Sequence, residues 1–324
     1  MHTGLKEKIK KFGKPVGNVI CILSVFFLFT ALVRTDFDVS QITDWRSFLF
    51  VFAVSTGLKT ATVFMSASAW CLWLEFFAKK RCDRREALRV YAKANIGKYL
   101  PGNVMHYVER NLFAGTLKLS QKQVAAASIC EIVSLVSAAF FTGMLLAFSK
   151  VRDTLAVIWQ AVGVFNKWAV WLAAVVIPAV LAALYFAWRK KVRSRAAGKK
   201  ISAADFFSFF HTFAASIFLY AAVLIVLGLI LVAVYFYLGG RPTIRQALEI
   251  TAAYMIAWVL GFIIPGAPGG IGVRETSLTL LLTPVTGRDM IVVLSVLHRL
   301  ITVAGDFTAY LLRKKLWRIK ENPR

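Results

Sequence analysis

The chain has 324 residues, of which 58% are hydrophobic and only 17% are charged, and its mean hydropathy is +0.65. These values exclude a soluble globular protein and indicate a polytopic membrane protein. The 40 Lys and Arg residues outnumber 16 Asp and Glu residues, for a net charge of +24, and they cluster at the ends of apolar runs. Such clusters are typical of cytoplasmic flanks facing anionic lipid, so nucleic acid is not an expected partner.

Six apolar segments approach or exceed the length of about 20 residues that a helix needs to cross a bilayer. They lie at about 17–33, 50–77, 124–148, 168–188, 212–238 and 290–312. Cytoplasmic loops carry an excess of Lys and Arg, so the basic clusters predict that both termini are cytoplasmic. The sequence predicts one integral membrane domain over 1–324, with a first half over about 17–188 and a second half over about 202–315.

The segment 244–284 is apolar but is broken near its middle by proline and glycine. The residues expected to form this turn are Pro265, Gly266, Pro268, Gly269, Gly270 and Gly272. At membrane depth, broken helix is tolerated only where it is buried in protein or lines a polar cavity. Because the flanking spans require this segment to start and finish outside, it is predicted to be a re-entrant hairpin with arms at 244–264 and 274–282.

A weaker example of the same pattern lies at 95–115, where Pro101 and Gly102 interrupt the chain. Aligning the two Pro-Gly pairs places Arg110 opposite Arg274, each nine residues after its proline and each beside a glutamate. This segment is expected to begin and end in the cytoplasm. Two broken elements entering from opposite faces predict an inverted repeat, although two unrelated Pro-Gly turns would give the same short match.

Four motifs carry a family resemblance: GKYLPGNV at 97–104, AAASICEI at 125–132, PGAPGGIGVRE at 265–275 and LHRLIT at 297–302. Together they resemble the family named for the transmembrane region of lysylphosphatidylglycerol synthase, which is the flippase-like domain of the bacterial multiple peptide resistance factor. The resemblance covers about 15–315. Its most specific part is the Pro-Gly-Gly-x-Gly-x-x-Glu block.

The resemblance implies a protein of the bacterial inner membrane that moves lipids between leaflets, such as aminoacylated phospholipids or lipids linked to a polyprenyl chain. It implies functional roles for Pro101, Gly102, Glu131, the block 265–275 and Arg299. The family often has Glu-Arg where this chain has Glu131 followed by isoleucine, so a cation beside that glutamate is not implied. No soluble aminoacyl-transfer domain is present in the sequence, so synthesis of the lipid is not implied either.

Glu131 is a candidate site residue because a charge within an apolar span costs about 2.5 to 3.5 kcal/mol on insertion scales. Lys98, His106, Tyr107, Glu109 and Arg110 form a second polar group, expected near the cytoplasmic mouth. Arg274 at the start of the ascending arm would join the electropositive helix N-terminus in binding a phosphate headgroup. The expected headgroup-binding residues are Glu131, Arg274, Glu275, Arg299, Arg110 and Lys98. The expected coupling or ion-pair residues are Asp306, His298, Glu109 and His106.

Each assignment has a plainer alternative. Glu131 would form a structural ion pair, and the glycines would serve helix packing. Arg299 and Asp306 would form a salt bridge within the bundle, or Asp306 would extend toward the membrane surface. Glu275 would either favour the helix dipole or pair with Arg299. Lys59, inside the second apolar segment, is expected to extend toward the membrane surface.

No metal or cofactor site is expected, since the four cysteines are far apart and common catalytic motifs are absent. Asp36 and Asp38 fit the D-x-D pattern of sugar transferases, but they fall in a predicted outside loop. The sequence therefore predicts a flippase-like transporter of membrane lipids that are anionic or carry phosphate. Two alternatives are a non-catalytic membrane subunit of a lipid- or glycan-synthesis enzyme complex and an intramembrane transferase. The oligomeric state is not predicted.

Overall fold

The computed structural model describes residues 44–99, 104–146, 203–263, 268–270 and 272–313. Within these ranges the chain forms eight α-helices and two short 3-10 helices, without any β-strand. The predicted all-helical class is confirmed. The predicted spans 17–33 and 168–188 lie outside the described residues.

The helices are α1 (Trp45–Ala78), α2 (Arg84–Ala94), α3 (Met105–Leu112), α4 (Gln121–Leu146), α5 (Ala203–Tyr237), α6 (Ile244–Ile263), α7 (Val273–Thr286) and α8 (Arg288–Leu312). One 3-10 helix, Asn95–Tyr99, follows α2, and another, Pro268–Gly270, lies between α6 and α7.

Five of these helices, α1, α4, α5, α6 and α8, are long and apolar enough to cross a membrane. The chain is therefore an integral membrane protein. Helices α1, α4, α5 and α8 correspond to the predicted spans 50–77, 124–148, 212–238 and 290–312. The fifth, α6, has the length of a complete crossing, whereas the sequence predicted it to be one arm of a re-entrant hairpin.

Helix α1 begins five residues before the predicted span because Asp44 caps it. The Asp44 carboxylate accepts hydrogen bonds from the backbone N–H groups of Arg46 at 2.9 Å and Ser47 at 3.3 Å. These bonds satisfy two of the donors that lack a partner in the first turn of a helix. The hydrogen bond from the Ser47 hydroxyl, together with the two backbone bonds, lowers the pKa of Asp44 below its ordinary value of 3.8.

Apolar packing joins the helices into one bundle. Trp70 and Trp73 of α1 are completely buried in a cluster that includes residues of α2 and α4. A second cluster joins α5, α6, α7 and α8 through residues such as Leu231, Ile250 and Leu294. Because buried aromatic and branched side chains dominate both clusters, the polar residues between them are held by rigid elements.

The two elements that the sequence predicted to be broken meet inside this bundle. The 3-10 helix Asn95–Tyr99 contacts the 3-10 helix Pro268–Gly270. A Cβ atom placed on Gly269 would lie 3.2 Å from the Tyr99 ring, so the two backbones approach each other closely. Gly269 and Gly270 are both buried, and the described part of the Pro/Gly turn is therefore no surface loop.

Candidate functional site

A cavity of about 120 Å³ lies where the two 3-10 helices meet residues of all eight described α-helices. Its wall carries five cationic side chains and two carboxylates, namely Lys59, Lys98, Arg110, Arg274, Arg299, Glu131 and Asp306. Apolar side chains from α1, α4, α5 and α6 also line it, namely Val63, Leu135, Val223, Leu224, Leu227, Trp258 and Phe262. The cavity is therefore amphipathic and rich in positive charge.

Glu131 of α4 is one of the two carboxylates, and its hydrogen-bonding capacity is used by protein groups. It forms a salt bridge with Arg110 of α3 at 2.5 Å and accepts hydrogen bonds from the hydroxyl groups of Tyr91 at 2.9 Å and Tyr220 at 3.0 Å. The Arg110 guanidinium also lies 3.7 Å from the centre of the Tyr91 ring, within the range of a cation–π contact. This cluster ties α2, α3, α4 and α5 together.

Asp306 of α8 is the second carboxylate and is only 1% exposed. One of its oxygens contacts Lys59 Nζ at 2.7 Å and Asn95 Nδ2 at 2.8 Å. The other contacts Lys98 Nζ at 2.6 Å and the Tyr99 hydroxyl at 2.6 Å. Asp306 therefore joins α1, α8 and the 3-10 helix Asn95–Tyr99, and its partners among the described residues do not include the predicted Arg299.

The expectation that Lys59 extends to the membrane surface is wrong. Lys59 is 7% exposed and binds a residue 247 positions away in the sequence. It lies near the middle of α1, which packs against α8, and there a buried carboxylate is closer than bulk water. Charged side chains inside a bundle usually pair with one another in this way.

Arg299 lies near the middle of α8 and is only partly satisfied. Its Nη1 donates a hydrogen bond to the Gly269 carbonyl oxygen at 3.0 Å. Its Nε and Nη2 atoms are buried without an acceptor among the described residues, although the side chain lines the cavity. Gly269 adopts a φ of +58°, and a Cβ atom there would lie 3.0 Å from Nη2, so glycine allows both the turn and the contact.

Arg274, at the start of α7, is the second cation without a carboxylate partner in the described part of the chain. Its Nε is buried without an acceptor, and its guanidinium lies 5.5 Å from the centre of the Trp258 ring. A Cβ atom on Gly270, where φ is +75°, would lie 2.8 Å from that Nε. The glycines of the turn therefore leave space for the two arginines.

Glu275 follows Arg274 but does not line the cavity. Its carboxylate accepts a hydrogen bond from the Gly272 backbone N–H at 2.7 Å and so caps the start of α7. Of the two roles expected for Glu275, the structure contains the one at the helix N-terminus, and no described contact joins it to Arg299.

The predicted histidines occupy different settings. His298 Nε2 lies 3.1 Å from the Leu227 carbonyl oxygen, and its ring meets Tyr254 edge-on, so His298 joins α8 to α5 and α6. His106 lines the cavity, and its Nδ1 is buried without a described partner. Glu109 is half-buried next to Gly97 and does not line the cavity.

Several predicted turn residues fall outside the described residues, namely Pro101, Gly102, Pro265 and Gly266. Pro268 belongs to the second 3-10 helix, and Gly272 is the residue before α7. Gly272 also has a positive φ, +82°, as do Gly269 and Gly270. The break between α6 and α7 is thus present at its C-terminal end.

Four residues that hold the buried carboxylates were not predicted from the sequence: Tyr91, Tyr220, Asn95 and Tyr99. Their partners lie between 40 and 211 positions away, so no local spacing indicates them. Lys59 had a signal, since an ionisable residue within an apolar run is by default a candidate for an internal site. Among the described residues, no group of three His, Cys, Asp or Glu side chains could hold a metal ion.

Comparison of the chain with protein-family models, with curated proteins and with solved structures found no match. The resemblance to the transmembrane region of lysylphosphatidylglycerol synthase therefore stays a prediction from four motifs. The fold and the cavity define a class, which is an integral membrane protein with a buried, predominantly cationic cavity.

Proposed function

We propose that this protein binds a membrane lipid by its phosphate-bearing headgroup in the cavity and moves that lipid between the two leaflets. The observation that supports the proposal most strongly is the pair formed by Arg274 and Arg299. Both guanidinium groups line the cavity, and neither has a carboxylate partner among the described residues.

Burying the charges of Arg274 and Arg299 costs free energy. An arginine remains ionised in a protein, and an unpaired buried ion costs several kcal/mol even after the surroundings relax. An anion between the two guanidinium groups would offset this cost. Phosphate suits the position because its oxygens accept the parallel N–H donors of a guanidinium edge, with the geometry that makes Arg–phosphate contacts strong.

The apolar part of the wall favours a lipid over a small anion. Trp258 and Phe262 of α6 stack on each other with ring centroids 5.4 Å apart, and both line the cavity, where the Trp258 ring lies 5.5 Å from the Arg274 guanidinium. Leu224 and Leu227 of α5 line it as well. A ligand with a charged end and a hydrocarbon end satisfies both parts of this wall.

The position of Arg299 supports a re-entrant element near the middle of the membrane. Residue 299 lies at the middle of α8 (Arg288–Leu312), and it contacts the turn at Gly269. Helix α7 has 14 residues, which at 1.5 Å per residue span roughly 21 Å, less than the roughly 30 Å hydrocarbon core. We propose that α7 climbs from this turn to the outer surface.

Helix α6 fits the descending arm despite its 20 residues, because its first turns are polar. They carry Arg245 and Glu249, whose side chains form an exposed i,i+4 pair. The apolar part, 250–263, is again 14 residues, or roughly 21 Å. In this proposal the element 95–115 enters from the cytoplasmic side, and the two elements meet at the contact between Tyr99 and Gly269.

The test is a leaflet-exchange measurement on the purified protein in liposomes that contain a fluorescent phospholipid. Arg274→Gln and Arg299→Gln are expected to slow exchange at least about tenfold, since each removes a charge contact to the headgroup. Arg245→Gln is the matched control, because it removes an arginine whose side chain is exposed outside the cavity. Equal exchange rates for all variants, or no exchange by the wild-type protein, would reject the proposal.

A further inference from the structure

We infer that the cavity selects a phosphate carrying two negative charges, that is a phosphate monoester or a diphosphate, over a phosphodiester headgroup that carries one. The inference rests on the proposed function in one respect, since it names the class of ligand for the same cavity. It concerns affinity and is independent of whether the bound lipid then changes leaflet.

The charge balance of the cavity wall is the first argument. Glu131 is balanced by Arg110, and Asp306 is balanced by Lys59, each through a direct salt bridge. Arg274 and Arg299 are left without a carboxylate among the described residues, so the wall carries an excess of at least two positive charges. Lys98, a second lysine on Asp306, adds to this excess.

The orientation of the guanidinium groups is the second argument. The Gly269 carbonyl oxygen binds Nη1 of Arg299 and so leaves the edge formed by Nε and Nη2 without a protein acceptor in the described ranges. That edge presents two parallel N–H donors, which is the arrangement used to bind two oxygens of one phosphate. Arg274 offers one further donor without an acceptor, its Nε, beside the Trp258 ring.

The chemistry of phosphate esters then distinguishes the two ligand classes. A phosphate monoester carries about −1.5 to −2 charges at pH 7 and has three terminal oxygens. A diester carries one charge and has two terminal oxygens, so it would leave part of the arginine charge uncompensated. The monoester or a diphosphate matches both the excess charge and the number of donors supplied by Arg274 and Arg299.

The cavity has room for a phosphate group, since its volume is about 120 Å³. The apolar residues of α5 and α6 would contact the first carbons of the hydrocarbon part.

The experiment compares two lipids that differ by one methyl group and one negative charge. Phosphatidic acid and phosphatidylmethanol with identical acyl chains are titrated onto the purified full chain in neutral nanodiscs at pH 8. We expect phosphatidic acid to bind at least about tenfold more tightly, because the second charge interacts with the guanidinium groups of Arg274 and Arg299. Equal affinities for the two lipids would overturn the inference.

Matched variants separate the cavity from general attraction to a strongly basic protein. Arg274→Gln/Arg299→Gln is expected to abolish the preference for phosphatidic acid. Arg245→Gln/Arg288→Gln removes the same charge from exposed positions and is expected to retain the preference. A preference that survives loss of the cavity arginines, or that is lost in the control pair, would also overturn the inference.

Inorganic phosphate is the competitor that distinguishes a lipid from a free anion. For a lipid ligand, phosphate is expected to displace phosphatidic acid only at concentrations at least about 100-fold above the lipid's, since it lacks apolar contacts. Competition at equal concentrations would support selection of a dianion and assign free phosphate as its source. Selective binding without leaflet exchange would reject transport alone, and exchange without selective binding would reject this inference alone.

Discussion

The cavity contains two kinds of buried arginine, one paired with a carboxylate and one that we propose binds a ligand. Arg110 has a carboxylate partner in Glu131, and its guanidinium lies against the Tyr91 ring. Arg299 has one backbone carbonyl as its partner and retains two buried nitrogens without an acceptor among the described residues. Both are at most 5% exposed. Arg110 also has a buried Nε without an acceptor in the described ranges, so the difference between the two residues is the carboxylate partner that Arg110 has and Arg299 lacks.

The largest effect on stability is expected at the ion pair between Arg110 and Glu131. Arg110→Ala leaves Glu131 buried with only two hydroxyl donors, and the free energy of unfolding in mixed micelles should fall by about 3–5 kcal/mol. The double variant Arg110→Met/Glu131→Gln should recover most of this loss, since replacing both partners of a buried pair is often nearly neutral. A loss below about 1 kcal/mol for Arg110→Ala would contradict the structural role of this pair.

A smaller effect is expected at Lys59, because Asp306 would keep three other partners. Lys59→Met preserves most of the side-chain volume but removes one salt bridge, which should lower the free energy of unfolding by about 1–3 kcal/mol. Lys122→Met, at an exposed position of α4, is the control and should change it by less than about 0.5 kcal/mol. If the two variants behave alike, Lys59 does not contribute its charge to the bundle.

Substitution of Arg299, which lacks a described carboxylate partner, should not lower the stability of the lipid-free protein in the same way. Arg299→Gln loses one hydrogen bond worth about 1 kcal/mol but relieves an uncompensated charge, so the lipid-free protein should unfold within about 1 kcal/mol of wild type or be more stable. Adding phosphatidic acid should stabilise wild type and leave the variant unchanged, as expected for a ligand that binds only the former. A loss of about 3 kcal/mol or more without lipid would show that Arg299 belongs with Arg110.

The smallest effect concerns Asp44, which lies outside the cavity and is a control for pH. The pKa of Asp44 is lowered in the folded chain by its hydrogen bonds with Ser47 and Arg46. The capping contribution is therefore complete above pH 3.8, the ordinary value, and is lost as the pH falls through the lower folded-state pKa. Asp44→Asn should flatten this acid dependence slightly in thermal unfolding scans between pH 5 and 3, and an unchanged profile would contradict it.

The long apolar helices could be predicted from the sequence, and the partners of their buried charges could not. The four predicted spans within the described ranges correspond to α1, α4, α5 and α8, because about 20 apolar residues have few alternatives to a membrane helix. Their ends were less predictable, since one cap such as Asp44 extends a helix by several residues. The pairing of Lys59 with Asp306 depends on helices distant in sequence, so no local pattern could predict it.

The Pro/Gly block at 265–275 shows both what the sequence could predict and what it could not. Its composition predicted a break beside Arg274 and a close approach of backbone to another group. The structure adds that the group at Gly269 is the Arg299 guanidinium, which the sequence placed on a separate helix. The residue types of the cavity could therefore be predicted from the sequence, whereas the contacts between those residues could be determined only from the structure.

The most direct test of the account is a structure determined with phosphatidic acid bound. The account predicts a phosphate group in the cavity with oxygens within about 3.2 Å of Arg299 Nε and Nη2 and of Arg274 Nε. It also predicts that Arg110 keeps its salt bridge with Glu131 in that structure. A phosphate bound elsewhere, with both cavity arginines paired to protein carboxylates, would contradict the account.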